Sequence, residues 1–294
     1  MAMDRREALG ALAGFTLGCT GEAHARTTMQ TPARSNASVL RMPVVFAAHG
    51  APILLDDEPW MGELAAWGRA MPKPASILML SAHWEQKPTA LGATRTVPLV
   101  YDFQGFPERF YRTQYPAPGA PELAARVREL LREHDMRSSD EPERGLDHGA
   151  YVPLVAMYPE AGVPVLQVSL PALDPEELFA LGRALAPLRD EGVLIFGSGF
   201  LTHNMRYAFQ RGTPTWAEEF DAWVAEALAK LDFDALRDFQ ERAPAARTAL
   251  PTWEHYAPVL VAAGAVAEER PPVQFPITGF WMDGAFTRRS VQFG

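Results

Sequence analysis

Pro43-Val44-Val45-Phe46-Ala47-Ala48 runs without a polar break into His49-Gly50. A half-solvated strand would alternate apolar and polar residues. An unbroken apolar run of this length is instead a strand buried on both faces, the kind found in parallel sheets covered by helices. Gly50 then ends it in a turn. The same pattern recurs outward along the chain at Ser76–Ser81, Val163–Ser169 and Gly192–Gly197. Helical patterns lie between these runs. One covers Glu63–Met71, closed by Pro72 and Pro74, and another covers Pro121–Glu133, with proline in its first turn. A third opens at Asp174-Pro175-Glu176-Glu177 and runs to about Arg189, with a cap residue and acids at its start. Helices follow at about 216–231 and 253–263, and late strands near Val273–Phe280 and Ser290–Phe293. The alternation predicts a single α/β domain over residues 42–294, its central mixed, mostly parallel sheet covered by helices on both faces.

The composition is that of an ordinary globular protein. Of 294 residues, 48% are hydrophobic and 21% charged, which excludes a disordered, collagen-like or coiled-coil chain. Lys and Arg number 27 against 36 Asp and Glu, and no stripe of basic residues stands out, so nucleic acid is excluded as a partner. A small molecule is the expected partner. The first 25 residues differ from the rest: Arg5-Arg6, an apolar run from Ala8 to Gly18, then Ala23-His24-Ala25. These are the three parts of an export signal, and the paired arginines point to the twin-arginine route and a periplasmic address, with the cytoplasm as the alternative. The apolar run is too short to span a membrane. Residues 26–41, rich in Thr, Ser, Ala and Arg, read as a linker. Cys19 is the only cysteine, so there is no internal disulfide and no thiolate zinc site.

Beyond the leader stand His49, His83, His134, His148, His203 and His255. His134 ends a charged helix and reads as solvent-exposed. His49, His83 and His203 each follow an apolar strand within a few residues, beside small residues that let a ligand approach the backbone. In open α/β sheets the loops beyond the carboxyl ends of the strands converge on one crevice, so these three are expected near one another. His148, in Asp147-His148-Gly149, and His255, at the start of a helix, read as loop-borne members of the same site. Several imidazoles without a thiolate leave coordination positions open and suit Zn or Fe(II), which is a catalytic pattern rather than a structural one. The competing reading is a set of scattered core histidines.

Other chemistries have less support. Gly197-Ser198-Gly199 resembles part of a nucleophile elbow, but Leu201 stands where its last glycine belongs. There is no dinucleotide fingerprint, P-loop or H-E-x-x-H. Val97–Pro118, dense in Pro, Gly and aromatics (Tyr101, Phe103, Phe106, Phe110, Tyr111, Tyr115), reads as an ordered loop and a wall for a pocket.

At these residues the sequence resembles the class III extradiol ring-cleavage dioxygenases, in particular the DOPA 4,5-dioxygenase-like group of LigB-type catalytic subunits. The resemblance rests on Ala48-His49-Gly50-Ala51-Pro52, Ser81-Ala82-His83-Trp84, Tyr101-Asp102-Phe103-Gln104-Gly105-Phe106-Pro107 and Tyr115-Pro116-Ala117-Pro118-Gly119. Asp147-His148-Gly149, Gly197-Ser198-Gly199, Thr202-His203-Asn204 and Glu254-His255-Tyr256-Ala257-Pro258 extend it, so that it spans residues 42 to 294. The export leader lies outside it, and Ala51 stands where many relatives carry Ser.

The resemblance implies a non-haem Fe(II), with Zn as the other divalent ion, and a catecholic substrate (DOPA-like or another small catechol) opened with O2. It makes His49, His83 and His255 resemble metal ligands, and His203 either a fourth ligand or the base beside the metal. His148 resembles a residue that hydrogen-bonds substrate or oxygen, so His148 and His203 are the expected catalytic pair. Some relatives carry an acid at the position of His255; here the site would be all imidazole. The chain is expected as a monomer or small homo-oligomer without a membrane span. Two alternatives stay open: a zinc-dependent hydrolase on the same fold, and a non-catalytic metal-binding or interaction module. Oxygen dependence separates the first, since Zn has no redox chemistry.

Overall fold

A computed structural model describes residues 41–208, 210, 212–281 and 284–294. The expected export signal and all but the last residue of the expected linker lie outside the described residues. In chain order the elements are β1 (Val44–Ala48), α1 (Glu58–Ala70), β2 (Ser76–Glu85), β3 (Thr89–Leu91), α2 (Pro121–Glu133), β4 (Ser138–Asp140), α3 (His148–Met157), β5 (Val165–Leu170), α4 (Pro175–Leu185) and β6 (Val193–Gly199). They continue with α5 (Thr215–Lys230), the short helices α6 (Phe233–Arg237), α7 (Phe239–Arg242) and α8 (Ala246–Ala249), then α9 (Ala257–Gly264), β7 (Val273–Ile277), β8 (Phe280–Trp281), β9 (Phe286–Thr287) and β10 (Ser290–Phe293).

Eight strands form one sheet in the order β4-β3-β5-β2-β6-β1-β10-β7. Its centre is parallel, with β2 pairing β5 and β6, and β6 pairing β1. The sheet is extended by antiparallel β10 and β7 on one side. On the other, β3 is antiparallel to β5 and parallel to β4. Side chains alternate across the sheet, so each central strand feeds two cores. Val44, Phe46, Leu78, Leu80 and Ile195 pack with α2, α4 and α9 on one face. Val45, Ala47, Ile77, Met79 and Phe196 pack with α1 and α3 on the other. This is why the strands read as unbroken apolar runs. No helix among the described residues is long and apolar enough to cross a membrane.

The structure departs from the sequence expectation at several ends. α1 starts at Glu58 rather than Glu63, because Asp57 caps it by accepting the Trp60 N–H at 3.1 Å and Pro59 fits its first turn. α4 stops at Leu185, where Pro187 diverts the chain into a 3-10 turn over Ala186–Glu191. β2 runs past Ser81 to Glu85, with a bulge between Leu80 and Glu85, so His83 lies within the strand's distorted end rather than after it. α9 begins at Ala257, leaving His255 in the turn before it rather than in its first turn. His148 is not loop-borne: it is the first residue of α3.

Candidate active site

Register brings the ends of three strands together. Ala48 of β1 faces Gly199 of β6, and Ser81 of β2 faces Ser198 of β6. His49 therefore emerges one residue beyond β1, its N–H donating to Gly199 O at 3.2 Å. His83 comes off the bulged end of β2, its N–H held by Ser81 Oγ at 3.2 Å. His148 opens α3, which Asp147 caps by accepting the Ala150 N–H. His203 follows β6 and is pinned by its N–H to Ala249 O at 2.9 Å. His255 is held where its carbonyl accepts the Phe200 N–H at 2.9 Å. Gly199 permits that approach: a Cβ there would sit 2.0 Å from His255 O.

All five of these histidines converge. Ring centroids are 4.0 Å apart for His83 and His148, 4.9 Å for His83 and His255, and 5.3 Å for His49 and His255. His203 stacks on His255 at 3.6 Å, nearly parallel. His134 stays outside, exposed at the end of α2, its Nδ1 2.9 Å from Leu130 O. The ligand atoms fall into two neighbouring groups, His49–His83–His148 and His203–Glu254–His255, each with all atoms within 4.8 Å of one another. The four histidines expected as ligands thus span both groups, and His148 stands among the donors of the first.

The partners of the rings fix which nitrogen faces inward. Ser198 donates its hydroxyl to Gly149 O, so its oxygen accepts from His49 Nδ1–H at 3.0 Å. His148 Nδ1 donates to Asp102 Oδ1 at 2.8 Å, and His255 Nδ1 to Glu254 Oε1 at 2.9 Å. His83 Nδ1 lies 3.5 Å from Asp102 Oδ2. With Nδ1 turned toward acceptors, the Nε2 lone pairs are left for the centre, where His49 Nε2 and His83 Nε2 stand 3.2 Å apart. Two lone pairs at that distance repel unless a proton or a cation lies between them.

A proton is disfavoured there. Burial, then the neighbouring imidazoles, holds His49 and His255 well below the ordinary histidine range. Burial followed by His148 takes His83 down to about 3, and burial takes His203 to about 4. Burial works against ionisation of Asp102, but its hydrogen bond to His148 prevails and brings it to about 2. Neutral imidazoles backed by carboxylates fit a divalent metal ion, since metal-bound histidines characteristically donate their other N–H to such a partner.

Aromatic rings border the cluster. Phe103 lies 5.8 Å from His148 and 4.8 Å from Tyr111, in the loop expected as a pocket wall. Phe200 lies 5.3 Å from His49 and stacks on Trp281. Asp102, Glu254 and Ser198 tie the histidine rings back; sequence alone gives the two acids no role and offers Ser198 only as part of a nucleophile elbow. Glu254 carried a usable signal, as the neighbour of His255. Ser198 is no nucleophile elbow: it is fully buried inside β6 with its hydroxyl committed to Gly149.

A family model described as the catalytic LigB subunit of aromatic ring-opening dioxygenase matches residues 47–287. The chain is 42% identical over 231 residues to a 4,5-DOPA dioxygenase extradiol of Beta vulgaris, covering 76% of this chain and 86% of that protein. It is 36% identical over 265 residues to the protein of the same name from Escherichia coli K12, covering 87% and 96%. A crystal structure of an uncharacterized protein from Escherichia coli K12 matches with a TM-score of 0.73 at 33% identity, covering 86% of this chain and all of that one.

Proposed function

The chain belongs to the LigB family of aromatic ring-opening dioxygenases, and on that premise we propose that it is an Fe(II)-dependent extradiol enzyme cleaving a small catechol, DOPA-like in type, with O2. The observation that carries this reading is the inward-facing set of Nε2 atoms, with Nδ1 of His49, His148 and His255 tied back to Ser198, Asp102 and Glu254. His49, His83 and His255 would hold the metal, with His203 beside them. Bound Fe(II) supplies a Lewis acid that lowers the pKa of a catechol hydroxyl and a redox-active partner for O2.

The protein's own groups do the rest. With Nδ1 bonded to Asp102, His148 turns its Nε2 to the centre as the acceptor for the hydroxyl proton, and the same Asp102 bond would stabilise the ring once it has taken that proton. Once charged, the same ring is a donor for negative charge that develops during oxygen insertion. His203, stacked on His255 with Nδ1 3.8 Å from Glu254, is the second such group. Partly exposed Phe103 gives an aromatic substrate apolar surface, and buried Phe200 keeps water from the centre.

The test is anaerobic loading of the full chain with Fe(II), followed by a panel of catechols and then air. A yellow ring-opened product that needs both iron and oxygen is expected. Turnover supported equally by Zn, or consumption of no catechol by protein that retains metal, would reject the reading. His148→Ala and His203→Ala are expected to lose turnover, and His49→Ala and His83→Ala to lose metal as well.

A further inference from the structure

We propose that Asp102 is a positioning residue that sets the tautomer of His148 and thereby couples the seating of the aromatic loop to the orientation of the catalytic ring. The proposal rests on the reading of His148 as a proton-accepting group, but its central observation is independent of turnover.

A single oxygen, Asp102 Oδ1, receives both the backbone N–H of His148 at 3.1 Å and its Nδ1–H at 2.8 Å. The backbone N–H is one of the donors that the first turn of α3 cannot satisfy within the helix. One acceptor shared by the main chain and ring of the same residue leaves the imidazole a single orientation. A flipped ring would present carbon to the carboxylate, and the Nε2–H tautomer would set the Nδ1 lone pair against it. The second oxygen, Oδ2, lies 3.5 Å from His83 Nδ1, so one carboxylate faces two rings whose centroids are 4.0 Å apart. Both rings are thereby favoured with their Nε2 lone pairs toward the centre.

The carboxylate arrives from the loop that carries the aromatic wall. Its neighbours are tied down without it: the Val100 N–H donates to Leu146 O at 2.9 Å, and the Tyr101 hydroxyl to Thr113 O at 2.7 Å. Phe103, the next residue, is the ring packed on His148. Seating Phe103 against the site therefore also brings the Asp102 carboxylate to the His148 ring. If Asp102 merely anchored the loop, its removal would weaken folding and leave the ring's protonation pattern unchanged.

The experiment is a two-bond 1H–15N correlation spectrum of uniformly 15N-labelled, metal-free protein, with His148 assigned by its absence from His148→Ala. In the wild type the His148 ring is expected as Nδ1–H. Asp102→Ala is expected to release it into a mixture with the Nε2–H form. Asp102→Asn, which can turn either an oxygen or an NH2 toward the ring, is expected to give a mixture too and keeps the assay usable if the alanine variant does not fold. In steady-state assays kcat should fall about 10–100-fold, with KM moving much less. An unaltered His148 tautomer in the soluble variants overturns the assignment, whatever the activity. A tautomer that changes in the variants while the wild type itself cleaves no catechol upholds the positioning role and rejects the dioxygenase reading instead.

Discussion

Gly149, the second residue of α3, is where helix and histidine cluster touch. A Cβ there would stand 2.4 Å from Ser81 Oγ, 2.9 Å from His83 Cδ2 and 3.2 Å from His49 Nδ1. Ser81 cannot yield cheaply, because it is fully buried and its oxygen holds the His83 N–H. A ring carbon and a ring nitrogen of the cluster must move instead. Gly149→Ala gains helix propensity worth about 0.5–1 kcal/mol. Overpacking opposes it by about 2–3 kcal/mol, the upper part of its usual range because the 2.4 Å contact is with a fixed, buried oxygen, for a net loss of about 1–2.5 kcal/mol. At about 2–4 °C per kcal/mol for a domain of this size, Tm should fall by about 2–10 °C. The displacement falls on His83 and His49, so metal affinity should drop with stability. Gly62 is the control, exposed in α1 with nothing within 4 Å of its Cβ position. Gly62→Ala should stabilise by about 0.5–1 kcal/mol and leave metal binding alone. Urea unfolding of the metal-free variants, with titration of Fe(II) or Zn, reads both quantities. A Gly149→Ala protein as stable as wild type and equally avid for metal would refute the claim that α3 is packed against the donor set.

Three further outcomes are expected. Metal-free protein should lose stability as pH falls below about 6.5, because burial keeps His49, His83, His203 and His255 neutral when folded while they take up protons when unfolded, so the unfolded state binds more protons. For His203, held down to about 4 by burial, this amounts to about 2 kcal/mol between pH 6.5 and 5, and unfolding at stepped pH should show a shallower slope in His203→Ala. A divalent ion at 100 times its Kd should raise stability by about 2.7 kcal/mol, an increment that calorimetry should find missing in His49→Ala and His83→Ala. Asp221 is buried and accepts from Arg289 Nε at 2.8 Å and from Thr287 Oγ1 at 2.6 Å, and the Thr287 N–H in turn donates to Thr202 Oγ1, one residue before His203. Asp221→Ala should cost about 3–5 kcal/mol by leaving Arg289 unpaired, while metal stoichiometry per folded molecule stays unchanged.

What could be read in advance depended on whether the signal was local. β1, β2, β5 and β6 were legible because burial on both faces writes itself as an unbroken apolar run. α3 was not: Ala150 to Met157 is apolar on every side and holds Pro153, so neither helical periodicity nor ordinary helix chemistry marks it. β3 and β4 are three residues each, and Ser138-Ser139-Asp140 carries no apolar pattern at all. The histidines were legible because strand ends converge by topology. Asp102 and Ser198 were not, since an acid between two aromatics and a serine in a strand acquire roles only through partners 46 and 149 residues away.

That distant pairing explains how the site reconciles two demands. Imidazoles buried together must stay neutral to fold, yet a divalent ion among them would bring two positive charges into a region that solvates charge poorly. The nearest compensation lies one layer out. Asp102, held ionised by its hydrogen bond to His148, stands behind His148 and His83, and the Glu254 carboxylate behind His255 and His203. Two carboxylates, one behind each pair of rings, would match the charge of one divalent ion while every proposed ligand stays neutral. Because each is also the hydrogen-bond partner of an Nδ1–H, the groups that would balance the charge are the groups that aim the rings. Replacing Asp102 or Glu254 by its amide therefore tests both functions at once: the ion's affinity should fall even though no proposed ligand has been touched.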